Sequence, residues 1–290
     1  MYVFELQFTL PSDAETTLHE WSPFRSAIRS LTGVNAAEEA IGILLTEWQI
    51  NGQVLGDASP VARVDGGFRV FVRVPARDAL SEPHHSESAR TCLRQFTPAE
   101  LGTMQVRPIG REPRSASECP GHPEAELVLY ADVYREESPL RCAECFGPVP
   151  LYTIAVGNES RRAIVWWDSG YRSCDHLEMR KGAAAAFAQH EMQSPESDLS
   201  REGLELCARI AGATGRRTWY FLARQRGVGR AAARERRCPR CGGEWLLSER
   251  WHRTFDFRCE RCALVSRLPW PYEYEDEDDG PADADGAAEA

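Results

Sequence analysis

Lysine is nearly missing from this 290-residue chain: Lys181 is the only one among 34 basic residues, and arginine carries the rest. No apolar run approaches the roughly 18 residues that a membrane-spanning helix needs; Ile41–Leu45 and Ala183–Ala188 are short. The first residues, Met1-Tyr-Val-Phe-Glu5, place an acid where a signal peptide would need a basic region and then an apolar one. A strand is expected there, and the expected compartment is the cytoplasm. Also missing are a glycine-rich phosphate loop, a paired-carboxylate site in recognisable context and a nucleophile elbow. The expectation is therefore a binding protein and not an enzyme, with no catalytic residue nominated.

Hydrophobic residues at 42% and charged residues at 27% are ordinary globular values, which excludes wholesale disorder. The length suits about two domains at roughly 150 residues each. Charge is segregated. Residues 215–268 hold 14 arginines against 5 acids, a net +9, whereas residues 269–290 hold 9 acids and no base. The whole chain carries −10.

An α+β fold is expected, in five stretches: an N-terminal α+β unit over 1–117, a central unit over 118–223, an arginine-rich linker over 224–237, a three-stranded zinc ribbon over 238–270 and a disordered acidic tail over 271–290. Within the first stretch, Val3–Thr9 alternates as a strand does and Asn35–Leu45 has helical apolar spacing. Asn51-Gly52 between Trp48–Ile50 and Gln53–Leu55 reads as a hairpin turn, and Asp65-Gly-Gly67 as a second, between Pro60–Val64 and Phe68–Val74. Ser81–Arg90 and Pro108–Ser117 read as loops. Further along, Glu126–Tyr134, Ala163–Trp167 and Thr218–Ala223 read as strands. Lys181–Met192 and Ser200–Ala211 read as helices, the second capped by Ser200 and burying Leu204, Cys207, Ala208 and Ala211.

Ten cysteines in a chain expected to remain in a reducing compartment point to metal more than to disulfides. Cys238-Pro-Arg-Cys241 and Cys259-Glu-Arg-Cys262 are separated by 17 residues. Two such turns place four thiolates around one tetrahedral ion, with Glu244–Leu247, Thr254–Arg258 and Ala263–Leu268 as connecting strands. All four ligands are thiolates and no position stays open for water, so the expected zinc is structural. A ribbon this small would draw on the order of 10 kcal/mol of its stability from the metal. Cys119-Pro-Gly-His122 and Cys142-Ala-Glu-Cys145 repeat the pattern with one imidazole. Two readings stay open there: a second zinc held by Cys₃His, or a knuckle that has lost its metal.

Other polar residues are read as structure. His84-His85 lies in an expected solvated loop. Cys174-Asp-His176 on a strand would point its Cys and His to opposite faces, leaving a buried Cys174. Cys207 reads as core, and of Trp166-Trp167 one should be core and the other surface.

Phe4–Leu10, Asn51–Gly56, Phe71–Pro75, Pro139–Tyr152, Tyr171–Asp175 and Cys238–Cys262 together resemble a bacterial family of uncharacterised Zn-ribbon-containing proteins, candidates for nucleic-acid binding. The resemblance implies a ribbon protein and carries no activity with it. Single-stranded nucleic acid is the first partner expected, contacted by Arg224, Arg226, Arg236, Arg237, Trp245 and Trp251, since guanidinium groups neutralise phosphates and aromatics stack on unpaired bases. The alternative is a protein–protein module, such as a cytoplasmic immunity or antitoxin-type inhibitor that caps a basic partner with its acidic body and tail. A third reading folds that tail back over the ribbon as a nucleic-acid mimic.

Overall fold

A computed structural model describes residues 1–11, 34–56, 59–134, 136–223 and 230–268. The expected tail, Arg224 and Arg226 lie outside the described residues. The fold is α+β, built on two sheets. Among the described residues no helix is long and apolar enough to cross a membrane.

The N-terminal sheet has strand order β2-β3-β1-β4, from β1 (Tyr2–Thr9), β2 (Val61–Val64), β3 (Gly67–Val74) and β4 (Thr103–Arg111). Its pairings are antiparallel. Helix α1 (Val34–Ile50) follows β1 and α2 (Glu87–Leu93) follows β3, which gives a split β-α-β arrangement. Period-two alternation sends Phe4, Leu6 and Phe8 of β1 and Phe68, Val70, Val72 and Val74 of β3 to one face. There they form a core with Ala37, Ile41, Leu44 and Trp48 of α1 and Ala89 and Cys92 of α2.

The Asp65-Gly66 hairpin forms as expected, with Gly66 at φ 76°. Asn51-Gly52 is not a hairpin. Gly52 at φ 74° ends α1: its N–H donates to the Gln49 carbonyl (2.9 Å) and the Gln53 N–H to that of Trp48 (2.8 Å). Asn-Gly serves a left-handed helix stop as well as a hairpin, so the dipeptide alone could not decide. Glycine is doubly needed, because a Cβ there would come within 2.7 Å of Leu151 Cβ. The expected loops also shrink. Pro108–Arg111 belongs to edge strand β4, where proline costs no ladder bond, and Glu87–Arg90 begins α2 with Ser86 as its cap.

The second sheet runs β6-β5-β7-β10-β9-β8. Its strands are β5 (Leu127–Leu129), β6 (Leu140–Cys142), β7 (Thr218–Phe221), β8 (Leu246–Trp251), β9 (Phe255–Cys259) and β10 (Leu264–Ser266). β7 is parallel to both β5 and β10. All four of its residues, Thr218-Trp-Tyr-Phe221, are buried, as a strand covered on both faces requires. The ribbon strands thus continue the sheet of the central segment. Phe255, Phe257, Leu264 and Val265 share one core with Tyr220, Phe221 and Trp167. The ribbon, expected to be too small to bury a core unaided, buries its apolar residues in a core shared with the central segment. Residues Arg230–Arg234 of the expected linker form a short helix, α6.

Ala163–Trp167 is helical, inside α3 (Asn158–Met179). Ile164, Trp167 and Tyr171 are buried at spacings of three and four, a period that five residues read alone conceal. Trp167 is core and Trp166 is 65% exposed, the expected split on a different element. Helix α4 (Ala185–Gln193) precedes α5 (Asp198–Thr214), whose cap is Ser197 and not Ser200. The buried face of α5 is Leu199, Gly203, Leu206, Cys207 and Ile210, rotated from the expected one. Gly203 sits where a Cβ would meet Tyr220 Cε2 at 2.2 Å, so α5 lies tight on β7.

Candidate metal centres

The C-terminal centre begins where α6 hands the chain to Cys238. The Cys238 N–H donates to the Gly243 carbonyl (2.9 Å), and the Gly242 N–H returns to the Cys238 carbonyl (2.8 Å). Gly242 at φ 69° makes this knuckle, which turns both sulfurs to one side. Cys259 ends β9, and Ala263 at φ 50° turns the chain from Cys262 into β10. The four sulfurs all lie within 4.8 Å of one another, with Cys241 Sγ 3.6 Å from Cys259 Sγ. Four thiolates about 2.3 Å from a common ion would stand about 3.8 Å apart, so this set fits tetrahedral zinc.

The central centre repeats the device. The Cys142 N–H donates to the Gly147 carbonyl (3.0 Å) and the Phe146 N–H to the Cys142 carbonyl (2.8 Å), with Phe146 at φ 58° in the place of Gly242. His122 Nδ1 lies 3.6 Å from Cys119 Sγ and 3.3 Å from Cys142 Sγ, so this ring nitrogen faces the sulfurs. The ligand atoms of Cys119, His122, Cys142 and Cys145 also lie within 4.8 Å of one another. A Cβ on Gly147 would stand 2.9 Å from the Cys119 nitrogen, so glycine lets the two halves of the site close. Both groups can hold a metal ion.

The sulfurs are electrostatically unequal. The Gly243 backbone N–H stabilises the Cys241 thiolate and lowers its pKa to about 7. Burial pushes Cys262 and Cys145 up to about 12. At Cys119 burial opposes ionisation, but hydrogen bonds from Gly121 and from Cys145 and Cys142 outweigh it and the pKa falls. Each centre thus holds a thiol that ionises more readily than usual, Cys241 or Cys119, and one that resists ionisation, Cys262 or Cys145, and a bound cation would supply the charge that the latter needs.

The residues expected at a nucleic-acid surface are placed differently. Trp245 is 2% exposed and its Nε1–H donates to the Arg236 carbonyl (2.8 Å). The Arg236 guanidinium packs over the Trp245 and Phe257 rings and donates to Ser266 Oγ (2.8 Å). Burial lowers its pKa to about 10. These two side chains are packing, not presentation. Trp251 is half-buried beside Trp219 and Phe255, and Arg258 lies between the Trp219 and Trp251 rings. Of the four described, only Arg237 is exposed, paired with Glu244 at 2.8 Å.

Two arginines overlooked in the sequence stand out instead. Arg240 and Arg261 occupy the third positions of the two C-terminal knuckles and are exposed. The signal was in the motifs: the third residue of each C-x-x-C knuckle, Glu144, Arg240 and Arg261, is exposed.

Cys174 and His176 lie on helix α3, so the argument from strand alternation does not apply; Cys174 is half-buried and His176 exposed. Cys207 is buried, as expected. His84 and His85 are not in a solvated loop: His84 packs on Tyr152 (4.5 Å) and His85 beside Trp48 (5.7 Å).

Three domain families match consecutive parts of the chain. They are described as domains of unknown function: DUF8589 over residues 23–110, DUF2310 over 122–223 and DUF8594 over 227–272. A Haemophilus influenzae protein described as uncharacterized is 27% identical over 245 residues, 82% of this chain and 94% of that protein. A second uncharacterized protein from the same organism is 33% identical over 147 residues, 50% of this chain and 72% of its own length. The chain belongs to the family of this second protein. Neither relative's description names an activity. The DUF2310 match spans most of the central centre, from His122 through Cys145, and the DUF8594 match all four C-terminal cysteines.

Proposed function

We propose that this family member is a two-zinc binding protein that grips single-stranded nucleic acid with the C-terminal knuckles. The observation that carries the metal half is the clustering of all eight expected ligands into two groups of four within 4.8 Å. Thiolate and imidazole donors in closed sets of four favour zinc in a structural role. The ions would fix the knuckle turns, and no catalytic step is assigned to them.

For the nucleic-acid half, Arg240 and Arg261 are exposed on the turns that the ion would make rigid, and Arg237, just before the first knuckle in sequence, is exposed too. Guanidinium groups held on a rigid turn neutralise phosphates at little entropic cost. The four thiolates with one Zn²⁺ carry about −2, so the arginines also offset the centre itself. Elemental analysis of the purified chain should give two zinc ions; one would refute the Cys₃His site and none the whole reading. Binding to a labelled 20-nucleotide single strand should weaken steeply between 50 and 300 mM salt. Each of Arg240→Ala and Arg261→Ala should reduce the salt slope by about one. No binding at 50 mM salt would end the nucleic-acid reading.

The protein-partner reading has one supporting feature among the described residues: Trp166 (65% exposed) on α3 and Phe187 (62%) on α4 are large apolar side chains left in solvent. A stoichiometric basic protein that co-purifies, and is released by Trp166→Ser, would favour it.

A further inference from the structure

Among the described residues, the helices that pack on the N-terminal sheet, α1 and α2, lie on one side of it. Its inner side chains are buried under α1 and α2. The alternate residues, Gln7 and Glu5 of β1, Arg69 and Phe71 of β3 and Gln105 and Arg107 of β4, lie on the opposite face. Phe71, on a central strand, is 55% exposed. A large aromatic left in solvent there is unusual, because β-propensity places aromatics where they pack.

Charge on this sheet runs against the net charge of the chain. The four strands carry five arginines and one acid, Glu5, in a protein of net charge −10. Helix α1, on the other face, carries Glu38, Glu39 and Glu47 and no base. Glu5 itself is 3% exposed, covered on this face by the arginines it binds. Its carboxylate accepts from Arg107 Nε (2.8 Å) and Nη2 and pairs with Arg69 Nη1 (3.4 Å). One carboxylate therefore pairs with two guanidinium groups that remain partly exposed, leaving a net positive charge and spare donors on this face. The register sets Phe71, Glu5 and Arg107 in one row across three strands, and Arg69, Gln7 and Gln105 in the next. Arg73, on the same face, is tied to Glu136.

We propose that this open face is a second single-strand nucleic-acid surface. Phe71 is the stacking platform for one base, Arg69 and Arg107 contact the flanking phosphates, and the Gln7 and Gln105 amides face the base edges. A four-stranded sheet with helices behind it and an aromatic on a central strand is a shape that receives splayed, unpaired bases. The occupant must be a polyanion that also stacks, which favours a nucleic acid over an acidic peptide. This surface does not depend on the Arg240/Arg261 knuckles, and the two are separable by experiment.

The test uses the full zinc-loaded chain, a fluorescein-labelled 12-nucleotide RNA of mixed sequence and anisotropy at 50 mM salt. Phe71→Ala should weaken binding about 5- to 100-fold, as loss of one stacked base does, while Phe71→Tyr retains it. Photocrosslinking to a 5-iodouridine RNA should label the peptide containing Phe71. Because Phe71 is exposed, its variants should keep the wild-type thermal midpoint. If Arg240→Ala/Arg261→Ala removes binding while Phe71→Ala changes nothing, the sheet surface is refuted and the knuckle reading stands. The converse result supports the sheet and refutes the knuckles. If no crosslink forms, and Phe71→Ala lowers the thermal midpoint only while residues 273–290 are present, the face is occupied by the chain's own acidic segment and the proposal falls.

Discussion

The imidazole Nε2 of His252 lies 2.7 Å from the carbonyl oxygen of Ala143, 109 residues away in sequence. The same ring stacks on Phe146 with centroids 5.3 Å apart and planes 14° from parallel. The tip of the β8–β9 hairpin is thereby fastened to the Cys142–Cys145 knuckle, and Phe146 in turn meets Phe255 of β9 edge-on at 5.3 Å. The two candidate metal centres share a mechanical link.

Removing the His252 ring should therefore loosen the central centre from the outside. His252→Gly suits the test, because position 252 has φ 54° and glycine adopts that conformation without strain. One hydrogen bond and one ring stack amount to about 1–3 kcal/mol. In chain loaded with zinc at both proposed sites, extraction of metal by a chelator should become biphasic, the ion at Cys119, His122, Cys142 and Cys145 leaving several-fold faster than in the wild type. Unchanged kinetics for both ions would show that the link carries no load.

A second brace of the same knuckle is ionic. Arg141 Nη1 lies 2.7 Å from Glu137 Oε2 with both side chains at most 3% exposed, and Glu137 Oε1 accepts the Ala116 N–H at 2.6 Å. Glu137→Gln leaves a buried guanidinium without its counter-charge and should cost about 3–5 kcal/mol. Arg141→Met alongside it should recover part of that loss, because the uncompensated charge is then gone. Urea midpoints of the wild type, the single variant and the double variant measure both effects.

How much of this was legible beforehand depended on whether local chemistry had one meaning. Cysteine spacing did at the C-terminal site, since four thiols at these separations serve few purposes and they assemble as expected; at the central site, where two readings stayed open, Cys119, His122, Cys142 and Cys145 also come together. Asp65-Gly66 did too. Asn51-Gly52 had two meanings, and only the helical period of the residues before it tells them apart. Ile164, Trp167 and Tyr171 spell a helix over eight residues, whereas Ala163–Trp167 alone reads as a strand. Trp245 and Arg236 illustrate a deeper limit. An arginine and a tryptophan in a basic segment suit a nucleic-acid surface and a cation–π pair in the core equally well, and burial, which decides, is set by β9 and β10. The union of the ribbon with the central sheet was invisible for the same reason, because parallel pairing of β7 with β10 is a long-range contact.

The thiols offer a chemical readout of the C-terminal centre. With metal removed, Cys241 has its pKa at about 7 through the Gly243 N–H, whereas Cys262 is pushed up to about 12 and the buried Cys207 stays higher than an ordinary thiol. The thiolate is the nucleophile, so iodoacetamide at pH 7 should modify Cys241 well before Cys262 or Cys207. Its rate should reach half its maximum near pH 7 and fall as the pH drops. Restoring zinc should protect Cys241. Mass spectrometry of the alkylated peptides checks the order.

Acid should weaken the N-terminal unit through His85. Its Nε2 lies 3.1 Å from the Leu80 carbonyl and its ring stands beside Trp48; burial holds its pKa below the ordinary 6.5, with the neighbouring Arg90 adding to the effect. The native state thus favours the neutral ring, while the unfolded chain binds its proton from about pH 6.5 downward. The stability this histidine confers is fully present above 6.5 and is lost as pH falls through its lower, native-state value. Urea midpoints at pH 7.5, 6.0 and 5.0 should decline, and His85→Gln, which cannot charge, should decline less over the same range. Parallel declines in the two proteins would place the acid sensitivity elsewhere in the fold.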